Sequence, residues 1–380
     1  MIYLDNAATS YPKPQSVIKA VADCLQDYCA NPGRSGHKLA IEAARKVFEA
    51  RETVAQFFNV TDSRNVIFTS NATMAINCAC AAILEDSDHV VVSSMEHNAV
   101  MRPLRYLEKE GKISLSFIKS GSNGKITGDV TQLLQPNTRL VVINHVSNVN
   151  GVVQDIAHIT AKIKAYSPSV TVLIDASQSA GVLPIDIQKI GCDFLAFTGH
   201  KALYGPQGIG GLIINTDRPL KPFIMGGTGS KSESQYQPEF LPDKYESGTL
   251  NLPGIVGLKA GIEYVWPQME KIRTEEMKHI KKVIECLSGI KGITVYWSNT
   301  FEHQIGVVSF SHESISCSEI GQRLDDEYSI CVRIGLHCAP LAHETIGSYP
   351  DGTVRISVGT FTEDRDIDTF CRAIEQITKV

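Results

Sequence analysis

The sequence predicts an α/β protein, a mostly parallel sheet with flanking helices joined to a smaller α+β unit. Three observations predict it. Short β-rich runs alternate with helical patterns from about residue 40 to 215. Several runs are continuously apolar, as in Leu140-Val-Val-Ile and Val170-Thr-Val-Leu-Ile. The pattern then changes after a Gly- and Pro-containing stretch from Arg218 to Pro253. Continuous apolar runs suit strands covered on both faces by helices, and strand–helix alternation is the mark of a parallel sheet.

Taken in order, strands are expected at Asn65–Thr69, His89–Ser93, Leu115–Ile118, Leu140–Asn144, Val170–Asp175, Phe194–Phe197 and Gly211–Ile214. Between the fourth and fifth, Asp155 is placed to cap a helix that carries Ile156, Ile159 and Ile163 on one face. The stretch 218–253, with Gly226-Gly-Thr-Gly-Ser230, reads as a long functional loop. A helical region follows near 255–288, then strands near Ile293–Trp297, Ile305–Phe310 and Val354–Val358, with helices near 318–328 and 363–378. Lys271, Arg273, Lys278, Lys281 and Lys282 alternate with Glu270, Glu275 and Glu276, the pattern of a solvated helix face.

Composition narrows the function classes. With 380 residues, 43% hydrophobic and 20% charged, the chain is long enough for a large core and for more than one domain. A formal charge of −5 argues against nucleic acid or an anionic membrane as the main partner. No apolar run reaches the ~18 residues of a membrane span. Met1-Ile-Tyr-Leu-Asp carries no basic, then apolar, leader, so a cytoplasmic protein with reduced thiols is expected. None of the ten cysteines forms a Cys-x-x-Cys pair, and no metal site is expected.

Chemistry gathers at strand ends. In Phe197-Thr-Gly-His-Lys-Ala, Lys201 follows a strand, where a lysine can form a Schiff base with an aldehyde cofactor, and Thr198 and His200 can meet a phosphate. Alone, the segment reads more readily as a surface turn with an incidental lysine. In Leu173-Ile-Asp-Ala-Ser-Gln, Asp175 ends a buried strand at the edge where open α/β sheets bind ligands. Pyridoxal phosphate needs such a carboxylate against its ring nitrogen, and Gln178 can reach the phenolic oxygen. The plainer alternative is Asp175 as a helix N-cap. Thr69-Ser-Asn-Ala-Thr opens a helix, so Ala72 and Thr73 can offer N–H groups and a hydroxyl to a phosphate. His97, in Ser94-Met-Glu-His, can stack on a ring or simply pack, and Asn148 ends the next strand.

A last segment, Arg333-Ile-Gly-Leu-His-Cys-Ala-Pro, precedes Arg355 in Thr353-Val-Arg-Ile-Ser. Arginine here can clamp an amino-acid carboxylate. Cys338 lies beside His337 in a loop with Gly and Pro, the setting of reactive thiols, although most cysteines are packed hydrophobes.

Leu4-Asp-Asn-Ala-Ala-Thr, Ser94-Met-Glu-His, Ile174-Asp-Ala-Ser-Gln, Thr198-Gly-His-Lys and Arg333-Ile-Gly-Leu-His-Cys-Ala together resemble the cysteine desulfurase and selenocysteine lyase family. That family sits in the class V aminotransferase group of fold-type I pyridoxal-phosphate enzymes, and the likeness runs in order along essentially the whole chain. It implies a homodimer, with a large cofactor domain at 15–255 and a small domain built from 1–14 and 256–380. It implies Lys201 as the Schiff-base lysine, His97 stacked on the ring, and Asp175 and Gln178 at its edge. It further implies Thr73, Thr198 and His200 at the phosphate, with Thr249 reaching the phosphate of the neighbouring subunit. Asn148 and Arg355 would meet the substrate carboxylate, Arg34 and His37 would form a substrate-side loop, and Cys338 would accept sulfur. Met74 departs from the glutamate that many members carry there, and Ala72 matches one branch only. The Cys338 loop resembles the shorter type of the family.

The resemblance therefore implies conversion of L-cysteine to L-alanine with a persulfide left on Cys338, for transfer to an acceptor protein. Selenocysteine lyase is the alternative on the same residues. A transaminase or epimerase of this fold would need Lys201 and Asp175 but not Cys338. A catalytically idle scaffold or sulfur-relay partner would need none of them.

Overall fold

The computed structural model describes residues 1–33 and 36–379. In chain order its strands are β1 (Ile2–Tyr3), β2 (Val66–Thr69), β3 (Asp88–Ser93), β4 (Ile113–Ile118), β5 (Thr138–Asn144), β6 (Thr171–Asp175), β7 (Phe194–Thr198), β8 (Gly210–Ile214), β9 (Ile293–Tyr296), β10 (Val307–His312), β11 (Ile330–Cys331), β12 (Arg333–Gly335) and β13 (Thr353–Ser357). The ten strands expected from the sequence are present, each end within two residues of its expected place. Strands β1, β11 and β12 were not expected, because two or three residues are too few to show a period.

Strands β2 to β8 form one sheet in the order β2-β8-β7-β6-β5-β3-β4. Its pairs from β7 to β4 are parallel, while β8 runs against β2 and β7. The apolar runs are explained by what covers them. Leu140 and Val142 enter one core with Ile76 and Leu104, and Val141 and Ile143 enter another with Phe58 and Leu258. Because successive side chains alternate faces, a strand buried on both sides must be apolar throughout.

Register brings the strand ends into line. Asn144 of β5 pairs with Asp175 of β6, and Asp175 pairs with Ala196 of β7. Next to them the helix Ala72–Ile83 starts against Gly210, where a Cβ would meet the Phe197 carbonyl oxygen at 2.7 Å and Asn71 Cα at 2.9 Å. Only a glycine lets that helix start sit so close to the sheet edge.

A second sheet, β12-β13-β10-β9, is antiparallel and packs with the helices Met269–Ser288, Cys317–Tyr328 and Asp364–Ile377. The chain start joins this unit: β1 pairs with β11, Asp5 bridges to Ser357, and Leu4 is buried with Phe310, Val354 and Phe370.

Two expectations are corrected. The helical region near 255–288 is two helices, Leu252–Val265 and Met269–Ser288, separated by a 3-10 turn at Trp266–Gln268. Pro267 lies in that turn, and proline cannot donate to the preceding helical turn. The first helix is capped by Asn251 and places Ile255, Leu258 and Ile262 in the core of the large sheet, so residue 255 lies inside a packed element. Glu276 is not on the solvated face. It follows Ile272 and precedes Ile280 by one turn each on the buried side, and burial pushes its carboxyl up to about 8. Among the described residues no helix is long and apolar enough to cross a membrane.

Candidate active site

A cavity of about 220 Å³ opens at the aligned strand ends. Of the residues singled out from the sequence, Ala72, Thr73, His97, Asn148, Asp175, Gln178, Thr198, His200, Lys201, Arg333 and Arg355 line it. The segments from Ala72 to Lys201 meet because β2, β3, β5, β6 and β7 end on the same edge, and Arg333 and Arg355 are brought to them by β12 and β13 of the second sheet.

Lys201 lies in the turn just past the end of β7, after Gly199 and His200. Burial lowers its amine to about 8; Asp175 opposes that shift, and the charges of Arg355 and Arg333 add to it. Asp175 is buried at the end of β6, and its Oδ1 accepts from Ser177 N at 2.9 Å and Ser177 Oγ at 2.5 Å. No helix starts there, so the carboxylate closes a tight turn rather than capping a helix, and it faces the cavity. Gln178 donates from Nε2 to Ala7 O at 3.0 Å, which ties the cavity wall to the N-terminal segment.

His97 caps the helix Asn98–Lys109, with Nδ1 accepting from Ala99 N at 3.0 Å. That bond places the ring proton on Nε2. Burial, and then the charge of Lys201, hold the imidazole down to about 4, so the ring facing the cavity is neutral.

One end of the cavity is rich in free donors. Asn71 Oδ1 takes Met74 N at 2.9 Å, leaving the N–H groups of Ala72 and Thr73 at the helix start without a protein acceptor. Thr198 Oγ1 and His200 Nδ1 are buried with no partner. Lys13 stands just behind: its Nζ donates to His200 O at 2.9 Å and Ser10 Oγ at 2.8 Å, and burial lowers it to about 8. Such a cluster suits an anion.

The cavity wall also holds a buried arginine. Arg355 donates from Nη1 to Asn148 O at 2.9 Å and from Nη2 to Asp5 Oδ1 at 2.8 Å, while Nε is buried and unpartnered. The adjoining loop is pinned at three points. Asn98 N donates to Cys338 O at 2.7 Å, Asn148 Nδ2 donates to His337 O at 2.8 Å, and the His337 ring meets Thr353 Oγ1 at 2.8 Å. His337 and Cys338 sit at φ 48° and 57°, left-handed backbone that side-chain-bearing residues seldom adopt. The Cys338 thiol is exposed, and Arg333 Nη2 approaches Sγ to 4.0 Å.

Two expected residues lie elsewhere in the chain, and a third lies outside the described residues. His37 is exposed and caps the helix Lys38–Phe58, accepting from Ala40 N at 3.2 Å. Thr249 is exposed in the segment before the helix Leu252–Val265. Arg34 lies outside the described residues. The sequence reading passed over Asp5, Lys13 and Asn144. Asp5 stands in the quoted Leu4-Asp-Asn-Ala-Ala-Thr motif, which was the available signal.

The model of the class-V aminotransferase family matches residues 2–370. A probable cysteine desulfurase from Methanothermobacter thermautotrophicus is 35% identical, the match covering 99% of this chain and 94% of the relative. A cysteine desulfurase from Wigglesworthia glossinidia brevipalpis is 31% identical, over 100% of this chain and 93% of the relative. Among solved structures, the apo cysteine desulfurase from Thermococcus onnurineus NA1 superimposes with a TM-score of 0.92 at 30% identity, over 100% of this chain and 94% of the other. The chain belongs to the class-V aminotransferase family, in its cysteine desulfurase branch.

Proposed function

We propose that the chain is a pyridoxal-phosphate-dependent cysteine desulfurase that converts L-cysteine to L-alanine and collects the sulfur on Cys338 as a persulfide. The observation that carries this reading is a single cavity that combines Lys201, Asp175 and His97 with a pinned, exposed Cys338 beside it. The residues fit that cofactor. Ala72, Thr73, Thr198 and His200 offer unpartnered groups to a phosphate, Asp175 offers a carboxylate to a ring nitrogen, and the neutral His97 ring offers a face.

Pyridoxal phosphate, when bound, supplies an electron sink for negative charge at the substrate's Cα. The remaining work belongs to the chain. Lys201 anchors the cofactor through its amine and, once displaced by substrate, takes the α-proton. Arg355, with Asn148 beside it, receives the substrate carboxylate on its cavity face. Cys338 attacks the substrate sulfur as a thiolate. Its Sγ–S bond forms as the Cβ–S bond breaks, the electron pair stays with the carbon skeleton, and protonation at Cβ with return of a proton from Lys201 to Cα completes alanine.

Lys201 gives the direct test. Only the neutral amine attacks a carbonyl, and the lowered value of about 8 leaves about a tenth of it neutral one unit below. Covalent uptake of pyridoxal phosphate should therefore speed up as pH rises through 7 and level off above about 8. Borohydride reduction and peptide mapping should place the pyridoxyl group on Lys201. A label on another lysine would overturn the site.

The same reading includes a homodimer in the cytoplasm, with a boundary after Val265 between the large unit and the small one formed by both chain ends. The dimer is supported by the exposed Ile18, Leu25, Leu39, Ile41 and Phe48 on the helical segments Gln15–Asp23, Cys24–Tyr28 and Lys38–Phe58, an apolar surface of the kind that marks association. The exposed Thr249 and His37 are free to serve a neighbouring cavity. Thr249→Ala should weaken cofactor retention by roughly tenfold, the worth of one hydrogen bond to a charged group. Equilibrium dialysis at several protein concentrations checks this. Dilute monomer that holds cofactor as tightly as the assembled form would count against the dimer. The pinned Cys338 loop also means that a sulfur acceptor, small thiol or protein, must approach the cavity mouth.

A further inference from the structure

Beside the ring-facing acid lies a second carboxyl that the mechanism above leaves unused. Glu96 is fully buried in the turn after β3, immediately before His97. Its Oε1 accepts from Ser93 Oγ at 2.5 Å and from Asn144 N at 2.8 Å. Its Oε2 is buried with no donor. Asn144 in turn donates from Nδ2 to Met95 O at 2.8 Å, and its own Oδ1 is also buried with no donor. Glu96 follows β3 and Asp175 ends β6, so the two acids flank the end of β5, where Asn144, the register partner of Asp175, lies between them.

This corner is short of one proton. An ionised carboxylate only accepts hydrogen bonds, whereas a protonated one also donates. A proton on Oε2 turns that partnerless acceptor into a donor, in a corner where the Asn144 oxygen also lacks one. Electrostatics point the same way. Burial first, and the charge of Asp175 as well, push the Glu96 carboxyl up to about 8, against the bonds from Ser93 and Asn144 that would lower it. The groups acting on it are Ser93 on β3, Asn144 on β5 and Asp175 on β6, and no Lys or Arg pairs with it among the described residues.

We propose that Glu96 is a positioning residue for this reaction: it keeps a proton on its buried carboxyl, so that no second negative charge stands near Asp175, and it ties the Met95–His97 turn to the end of β5. The role rests on reading the cavity as a pyridoxal-phosphate site. Two carboxylates in a dry strand end cannot both ionise cheaply. If Glu96 were ionised, a second buried negative charge without a cationic partner would stand near the carboxylate that faces the cavity. The bonds from Asn144 and Ser93 also fix the turn from which His97 reaches the cavity.

The test compares the wild type with Glu96→Gln, Glu96→Asp and Glu96→Ala. Glutamine keeps the length, the acceptor and the neutrality. E96Q should bind pyridoxal phosphate within about threefold of wild type, with an unchanged pH titration of the visible band, while the Asp and Ala variants lose at least about tenfold in affinity. At neutral pH, the infrared difference between wild type and E96Q should show the carbonyl stretch of an un-ionised carboxylic acid. A folded E96Q with at least about tenfold weaker binding, or carboxylate bands in that difference, would overturn the role. So would an alanine variant that binds as tightly as wild type. Wild type that takes up no pyridoxal phosphate overturns the cavity reading and this role together. Coloured wild type beside a colourless but folded E96Q overturns this role alone.

Discussion

Cys338→Ala leaves a folded protein that still takes up pyridoxal phosphate on Lys201, yet forms alanine from cysteine at least roughly 1,000-fold more slowly. The fold is spared because the thiol is exposed and the loop is held through backbone groups, Cys338 O to Asn98 N and His337 O to Asn148 Nδ2, which alanine retains. The chemistry is lost because desulfuration needs a nucleophile on the substrate sulfur, and the buried thiols cannot replace it. Burial pushes Cys24 up to about 11 and Cys78, Cys80 and Cys192 up to about 12, and none of them lines the cavity. Selenide leaves more readily than sulfide, so the variant keeps far more of its activity toward selenocysteine. Alanine measured from both substrates, with and without a thiol reductant, checks the expectation. Turnover of cysteine at the wild-type rate would remove the persulfide step and return the chain to a transaminase or β-lyase reading.

The strands were readable because β3, β5, β6 and β7 are buried on both faces, which leaves an uninterrupted apolar run ending in one polar residue. Ser93, Asn144, Asp175 and Thr198 are those residues, and the cavity lies where they end. What escaped the sequence depends on contacts between distant positions. Asp5 looks like an ordinary N-terminal acid until β1 pairs with β11 and carries it to Arg355, 350 positions away. Lys13 is one lysine among many until its ammonium meets the His200 carbonyl. Glu276 was misplaced because neighbouring Glu275 and Lys278 are exposed, and charge pattern alone does not reveal the phase of a helix whose inner face carries one acid. Glu96 stood in a quoted motif, but its burial shows only in three dimensions. Thr249 and His37 are exposed and lie outside the cavity.

Asp175→Asn should cost turnover of cysteine at least roughly 1,000-fold while leaving Lys201 open to labelling. The substitution keeps the shape and an acceptor for the Ser177 N–H and hydroxyl, so the turn after β6 survives. What goes is the negative charge facing the cavity, which is the group that would hold a pyridine nitrogen protonated and make the ring withdraw electrons. A second effect follows with a definite sign. Asp175 raises the Lys201 amine against the lowering by burial, so removing the charge lets the amine fall below about 8. More of it is then neutral at pH 7, and the pH at which covalent cofactor uptake levels off moves down. The variant should thus capture cofactor less pH-dependently than wild type over pH 7–8, yet turn over poorly. Stopped-flow uptake across pH, set beside alanine formation under saturating cofactor, separates the two effects. An asparagine variant that turns over within about tenfold of wild type would show that Asp175 is not the acid paired with the ring. An uptake curve that moves up rather than down would show that its carboxylate does not act on Lys201.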